Sequence, residues 1–170
     1  MPARDGSFSV TEIVVLPQAA TAITLHPPKL DGANSAFDKV FPQVDRISIT
    51  ADGHDVDVPD GQLEQRSAYP LTRESARIEL RYRLSKATVK STPSREGRAQ
   101  AAIAPIISDV PEELPVSVTV TGYSVLNLDC PNLQLADQAC ARGSAPNFQI
   151  DQDLPWEHAL VVAQLNLLLA

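Results

Sequence analysis

Apolar and polar residues alternate with a period of two along several stretches of the chain, most cleanly over Arg77–Leu84. There Ile78, Leu80, Tyr82 and Leu84 share one side, while Arg77, Glu79, Arg81 and Arg83 take the other. Side chains on a β-strand point alternately to its two faces, so this pattern predicts a strand with one buried face. Arg46–Val58 carries the same signal with a turn at its centre. Asp52-Gly53 is a preferred pair for the middle of a type I′ turn, because both residues tolerate positive φ. A two-residue loop there sets Ala51 opposite His54, Thr50 opposite Asp55, Ile49 opposite Val56, Ser48 opposite Asp57 and Ile47 opposite Val58. Turn chemistry and apolar pattern then specify one hairpin.

The remaining segments follow the same rules. Phe8–Leu16 predicts a strand ended by Pro17, and Thr21–Leu25 a second strand closed by His26-Pro27-Pro28. Between Pro28 and Phe41 the chain reads as loop. Asn34 or Ser35 can cap one helical turn there, placing Phe37, Val40 and Phe41 on one side. Gln62–Thr72 is polar and reads as irregular. A phase slip at Ser85-Lys86, read as a bulge, separates Arg77–Leu84 from a continuation through Ala87 and Val89 to Ser91. Pro93–Gly97 is a loop. Ala99–Ile107 is apolar but contains Pro105, which argues for an edge or partly irregular strand. Pro111–Pro115 turns into Val116–Tyr123, which Val125–Leu128 extends past a kink at Gly122. Leu160–Leu168 favours helix by composition, yet Ala163-Gln164-Leu165-Asn166-Leu167 alternates strictly, so it is read as a strand. Together these make an all-β chain, an antiparallel β-sandwich of about eight strands with one or two short helical turns, expected as a single domain over residues 1–170.

Composition narrows the class. At 170 residues and 44% hydrophobic content the chain can bury a core without a metal or a dense disulfide network. Pro outnumbers Gly by 14 to 7, so its loops are stiffened by proline rather than flexible. A net charge of −7 repels nucleic acid and anionic membranes at long range, and neither is expected as a partner. No stretch approaches the ~20 apolar residues of a membrane-spanning helix. The opening Met-Pro-Ala-Arg-Asp-Gly lacks the apolar centre of a secretory signal. That leaves an intracellular or virion protein, or one whose signal or anchor lies outside this sequence.

Cys130 and Cys140 are the only cysteines. A straight helix would hold them about 15 Å apart, beyond the ~7 Å that a bridge allows. Pro131–Ala139 can, however, fold back. An even pair within one excursion between strands predicts a disulfide, and with it an oxidising, extracytoplasmic compartment.

Positive charge is concentrated. Eight of the fourteen Lys and Arg fall in Arg73–Arg98, against Glu74, Glu79 and Glu96, so this segment is +5 and the remainder −12. Arg77, Arg81, Arg83, Lys86 and Lys90 form a candidate face for an anionic partner. The alternative, preferred here, pairs them with acids across the sheet, for which Asp55 and Asp57 are suited. Asp52, Asp55, Asp57 and Asp60 do not have the spacing of a calcium loop, since Gly53 follows the first Asp at once. His26, His54 and His158 have no His or Cys at ligand spacing, so no metal or other cofactor is expected. His26 and His54 read as exposed loop residues. Trp156-Glu157-His158 is read as a cover for one end of the core, with a ligand platform as the alternative. No hydrolase, phosphate-loop or paired-carboxylate motif is present.

The expectation is therefore a non-catalytic β-sandwich of the cell envelope or secreted space, binding an unknown protein or glycan or serving a structural role. A virion or other assembly subunit, suggested by the apolar Leu167–Ala170 end, is the first alternative. A hydrolase with an unmarked active site is the second.

Overall fold

The computed structural model describes residues 5–30, 33, 35–90, 97–111, 114–116, 118–122, 124–150 and 154–169. The chain is all-β, and its two larger sheets pack as a sandwich over a shared core. One sheet has five strands in the order β3-β2-β4-β1-β7: β1 (Phe8–Leu25), β2 (Gln43–Ala51), β3 (His54–Val56), β4 (Ser67–Ser85) and β7 (Ile107–Ser108). The other has four, β10-β14-β6-β5: β5 (Thr88–Lys90), β6 (Arg98–Ile103), β10 (Val125–Asp129) and β14 (Val161–Asn166). All described pairings are antiparallel, including two small ladders built from β8 (Pro115–Val116), β9 (Thr119–Thr121), β11 (Ala141–Ser144), β12 (Asn147–Ile150) and β13 (Leu154–Pro155).

The predicted hairpin has the expected register over Ala51/His54, Thr50/Asp55 and Ile49/Val56. Asp52 and Gly53 hold φ of 45° and 81°, as a type I′ turn requires. The pairs predicted beyond Val56 do not form, because β3 ends there. The turn is also fastened from outside the hairpin. Asp52 accepts hydrogen bonds from the backbone N–H groups of Ala76 and Arg77, each at 3.1 Å.

Five sequence expectations are corrected. Pro17 does not end the first strand: β1 runs on to Leu25, with register irregularities between Val15 and Ala22 that accommodate the missing N–H. Ser67–Thr72 is not irregular but is the first part of β4, paired to Ala22–Leu25. The slip at Ser85-Lys86 is no bulge; Lys86, at φ 55°, lies where the chain leaves the five-stranded sheet to enter β5 of the other. Ala99–Ile107 is not at an edge, since β6 lies between β14 and β5, although it is irregular around Pro105 as expected, where the chain crosses back. Likewise β10 does not extend β9 but joins the four-stranded sheet.

The expected strand at Leu160–Leu168 is present as β14, followed by a 3₁₀ turn at Leu167–Leu169. Val161, Ala163 and Leu165 face the main core, which they share with Val14, Ile78, Leu80 and Leu84 of the opposite sheet. Val162 faces the other way, against Phe37, Ala102, Ala104 and Leu160, with Leu30, Ala33 and Val40 packed on them. The loop before β2 thus covers the outer face of the four-stranded sheet. Burial on both faces explains why these strands read as nearly continuous apolar runs. The helical turn is Ser35–Phe37, with Phe37 buried; Phe41 is 79% exposed and does not join Phe37 and Val40 as expected. The suggested cap Asn34 lies outside the described residues, as do Ser91, residues 93–96, 112–113 and Tyr123.

Candidate functional site

The core face of β1 reads Phe8, Val10, Glu12, Val14, and one of these four is a carboxylate. Glu12 is 6% exposed and lies opposite Leu80, with Tyr82 diagonal to it on the same face. Its local role follows from the crossing at Pro105. There the chain passes from β6 to β7, and backbone N–H groups leave one ladder before joining the next, so they need acceptors. Glu12 Oε2 accepts from the Ile106 N–H at 3.0 Å. Its Oε1 is buried and has no hydrogen-bond partner.

Burial pushes the Glu12 carboxyl up to about 7, against the N–H groups of Ile106 and Ile107 and the nearby Tyr82 hydroxyl, which favour the charged form. Burial, and then the charge on Glu12, raises the Tyr82 phenol well above its ordinary value. Beside this pair lies a cleft of about 50 Å³. Phe8, Val10 and Glu12 form one wall, Ile103–Pro105 another, and Val118–Thr121 a third. Chemically the arrangement offers one proton acceptor or donor, poised near neutral pH, in an apolar recess.

No family model matches the chain, and no curated protein or solved structure matches it.

The sequence-predicted residues fall elsewhere. Cys130 and Cys140 are joined in a disulfide with Cα atoms 5.9 Å apart, linking the end of β10 to the start of β11. The loop between them is held internally: the Cys130 N–H donates to the Gln138 carbonyl at 2.8 Å. The Gln138 side chain in turn donates to the carbonyls of Pro131 and Leu133, each at 3.2 Å.

The five candidate cations do not form one face. Arg77, Arg81 and Arg83 point outward from β4, beside Val15, Thr11 and Ser9 of β1. Lys86 lies at the passage between sheets, and Lys90 is on β5, the edge strand of the other sheet. Their expected acidic partners are also corrected. Arg81 pairs with Glu79 at 2.7 Å, and Arg83 with Asp5 at 2.9 Å. Asp55 lies beside Thr50 on the hairpin instead.

Among the histidines, His54 is exposed as expected, whereas His26 is 9% exposed and buried. The His26 ring meets Trp156 edge-on, with centroids 6.0 Å apart, and its backbone N–H donates to the Ile106 carbonyl at 2.8 Å. Trp156 packs against the main core, as the covering role requires, though its indole N–H is buried without a partner. Lys29 and Asn132 join these two rings around a second recess of about 170 Å³. Among the described residues no group of three His, Cys, Asp or Glu could hold a metal. Among the described residues no helix is long and apolar enough to cross a membrane.

Sequence reasoning passed over Glu12. The signal was there: in the alternation Phe8, Val10, Glu12, Val14, Leu16, one position on the apolar face carries a charge.

Proposed function

We propose that this chain is a non-catalytic β-sandwich of the cell envelope or secreted space, and that it binds a protein or glycan partner at the cleft beside Glu12. The disulfide supports the compartment, since such bonds persist where the surroundings are oxidising. The observation that carries the binding role is the cleft, where an unsatisfied polar atom adjoins an apolar recess. Native interiors rarely leave such an atom alone, and recognition sites combine apolar walls with a few placed polar groups.

Two measurements test this. Protein drawn from its source cells should carry no free thiol before reduction and should label with a membrane-impermeant reagent; two free thiols in protected, cytosolic protein refute the compartment. Labelled protein should bind an envelope fraction, and Val120→Phe, which fills the cleft, should abolish that binding. Undiminished binding by a folded variant refutes the cleft.

A second reading has one observation in its favour. A carboxyl titrating near neutrality in an apolar cleft is suited to general acid–base work. It requires turnover of some substrate that Glu12→Gln removes while the fold is kept.

A further inference from the structure

Three features of the Glu12 cleft narrow what it can hold. First, Glu12 and Tyr82 are the only titratable residues among those lining it, and no Lys or Arg is among them. The groups that face the Glu12 carboxylate are the Tyr82 hydroxyl from β4 and the N–H groups of Ile106 and Ile107 from the opposite side. The charge therefore has no countercharge within the site. Second, the walls at Phe8, Val10, Ile103 and Val120 are apolar, while Thr11, Thr119 and Thr121 stand exposed at the rim. Third, a single water needs ~10–15 Å³ of such space, so about 50 Å³ admits a short chain of roughly three to five heavy atoms. Apolar walls, hydroxyls at the mouth and a carboxylate without a countercharge together match a short alkyl chain ending in a cation.

We infer that the cleft binds an alkylammonium group, supplied by a free amine or by a lysine side chain of an extended peptide, with the –NH₃⁺ paired with the Glu12 carboxylate. This rests on the cleft being the binding site proposed above. The peptide source has some support of its own. On the side of β1 away from β4, no described strand pairs with Thr11–Val15, so an extended segment could lie along that edge.

The test is an NMR titration of the intact chain with n-butylammonium, with n-butanol as the neutral match, and with a five-residue peptide carrying a central Lys. Butylammonium should move the amide signals of Phe8–Glu12 and Val118–Thr121, and should lower the midpoint at which the Glu12 carboxyl carbon titrates. Its affinity should fall about tenfold from pH 8 to pH 6 as Glu12 takes up a proton, and by a similar factor or more in Glu12→Gln at pH 8. The pH series on the unaltered chain decides the matter even if that variant fails to fold. Tighter binding by the peptide, with shifts along Thr11–Val15, identifies the peptide source, and equal affinity identifies a free amine. Butanol binding at least as well as butylammonium, or affinity that rises toward acid, overturns the assignment. So does the absence of any shift with butylammonium at pH 8. If envelope binding remains sensitive to Val120→Phe in those cases, the ammonium assignment alone fails and the cleft stands.

Discussion

Replacing Glu12 by Gln should change the pH dependence of stability more than stability itself. The folded chain keeps its proton on Glu12 up to about pH 7, whereas an unfolded chain releases it near 4.5. Between these values the folded state binds more protons than the unfolded one, so the free energy of unfolding falls as pH rises. The contribution is fully present below pH 4.5 and is lost as pH passes through about 7. Each pH unit is worth ~1.4 kcal/mol, so the whole effect is about 3 kcal/mol. Glu12 is almost wholly buried, so solvent screening takes little from this figure. The Gln amide keeps the shape and an oxygen for the Ile106 N–H but has no proton to lose. Urea unfolding of both chains from pH 5 to pH 8 isolates the effect, because the histidines common to both cancel in the difference. The wild type should lose roughly 2–3 kcal/mol relative to the variant across that range. With a slope near ~2 kcal/mol/M, its midpoint should fall by about 1 M more. A difference that stays constant from pH 5 to pH 8 would refute the argument, for the Glu12 charge would then be compensated in the folded state.

Four further outcomes are expected. Tyr82→Phe removes a hydroxyl that favours ionised Glu12, so the carboxyl should titrate still higher, as followed by its carbon shift; a lower midpoint would contradict the contact. Replacing Cys130 and Cys140 together by Ala should cost about 3 kcal/mol in urea unfolding, the chain-entropy value for so short a loop, and an effect under ~0.5 kcal/mol would show the loop ordered without its bridge. Gly53→Ala has open space for its new methyl but keeps φ at 81°, so thermal and urea unfolding should show a loss of about 1–2 kcal/mol from backbone strain alone. Phe37→Ala should cost about 3–5 kcal/mol by the same assay if the loop before β2 truly seals the outer face of the four-stranded sheet, and near-neutrality would show that it does not.

What could be read from the sequence was whatever is encoded locally. Asp52-Gly53 set a turn and a register, and Ile78, Leu80, Tyr82 and Leu84 set a buried face, since each depends on neighbours within a few residues. Strand limits were harder because prolines carry two meanings. Pro17 and Pro70 both lie inside long strands, at positions set by tertiary pairing that a local rule takes as an end. The passages at Lys86 and Pro105 were likewise invisible: a residue that slips a strand's phase and one that carries the chain to the opposite sheet look alike in one dimension. Ion pairs failed for the same reason. Asp5 reaches Arg83 across 78 positions, and nothing near either residue announces it.

The carboxylate at Glu12 is a different kind of miss, because its mark was local. A charged residue on the apolar side of a strand breaks the binary pattern, and such breaks concentrate at functional sites. At neutral pH this one holds the folded state below the stability that an uncharged residue of the same shape would give it. The backbone N–H of Ile106 does not by itself account for the choice, since a Gln oxygen would accept it, although the Ile107 N–H and the Tyr82 hydroxyl also face the carboxylate. What a carboxylate provides and an amide does not is negative charge directed at a site with no internal cation. The local structure needs an acceptor at position 12, and the alkylammonium ligand proposed above is what would give the charge itself a use.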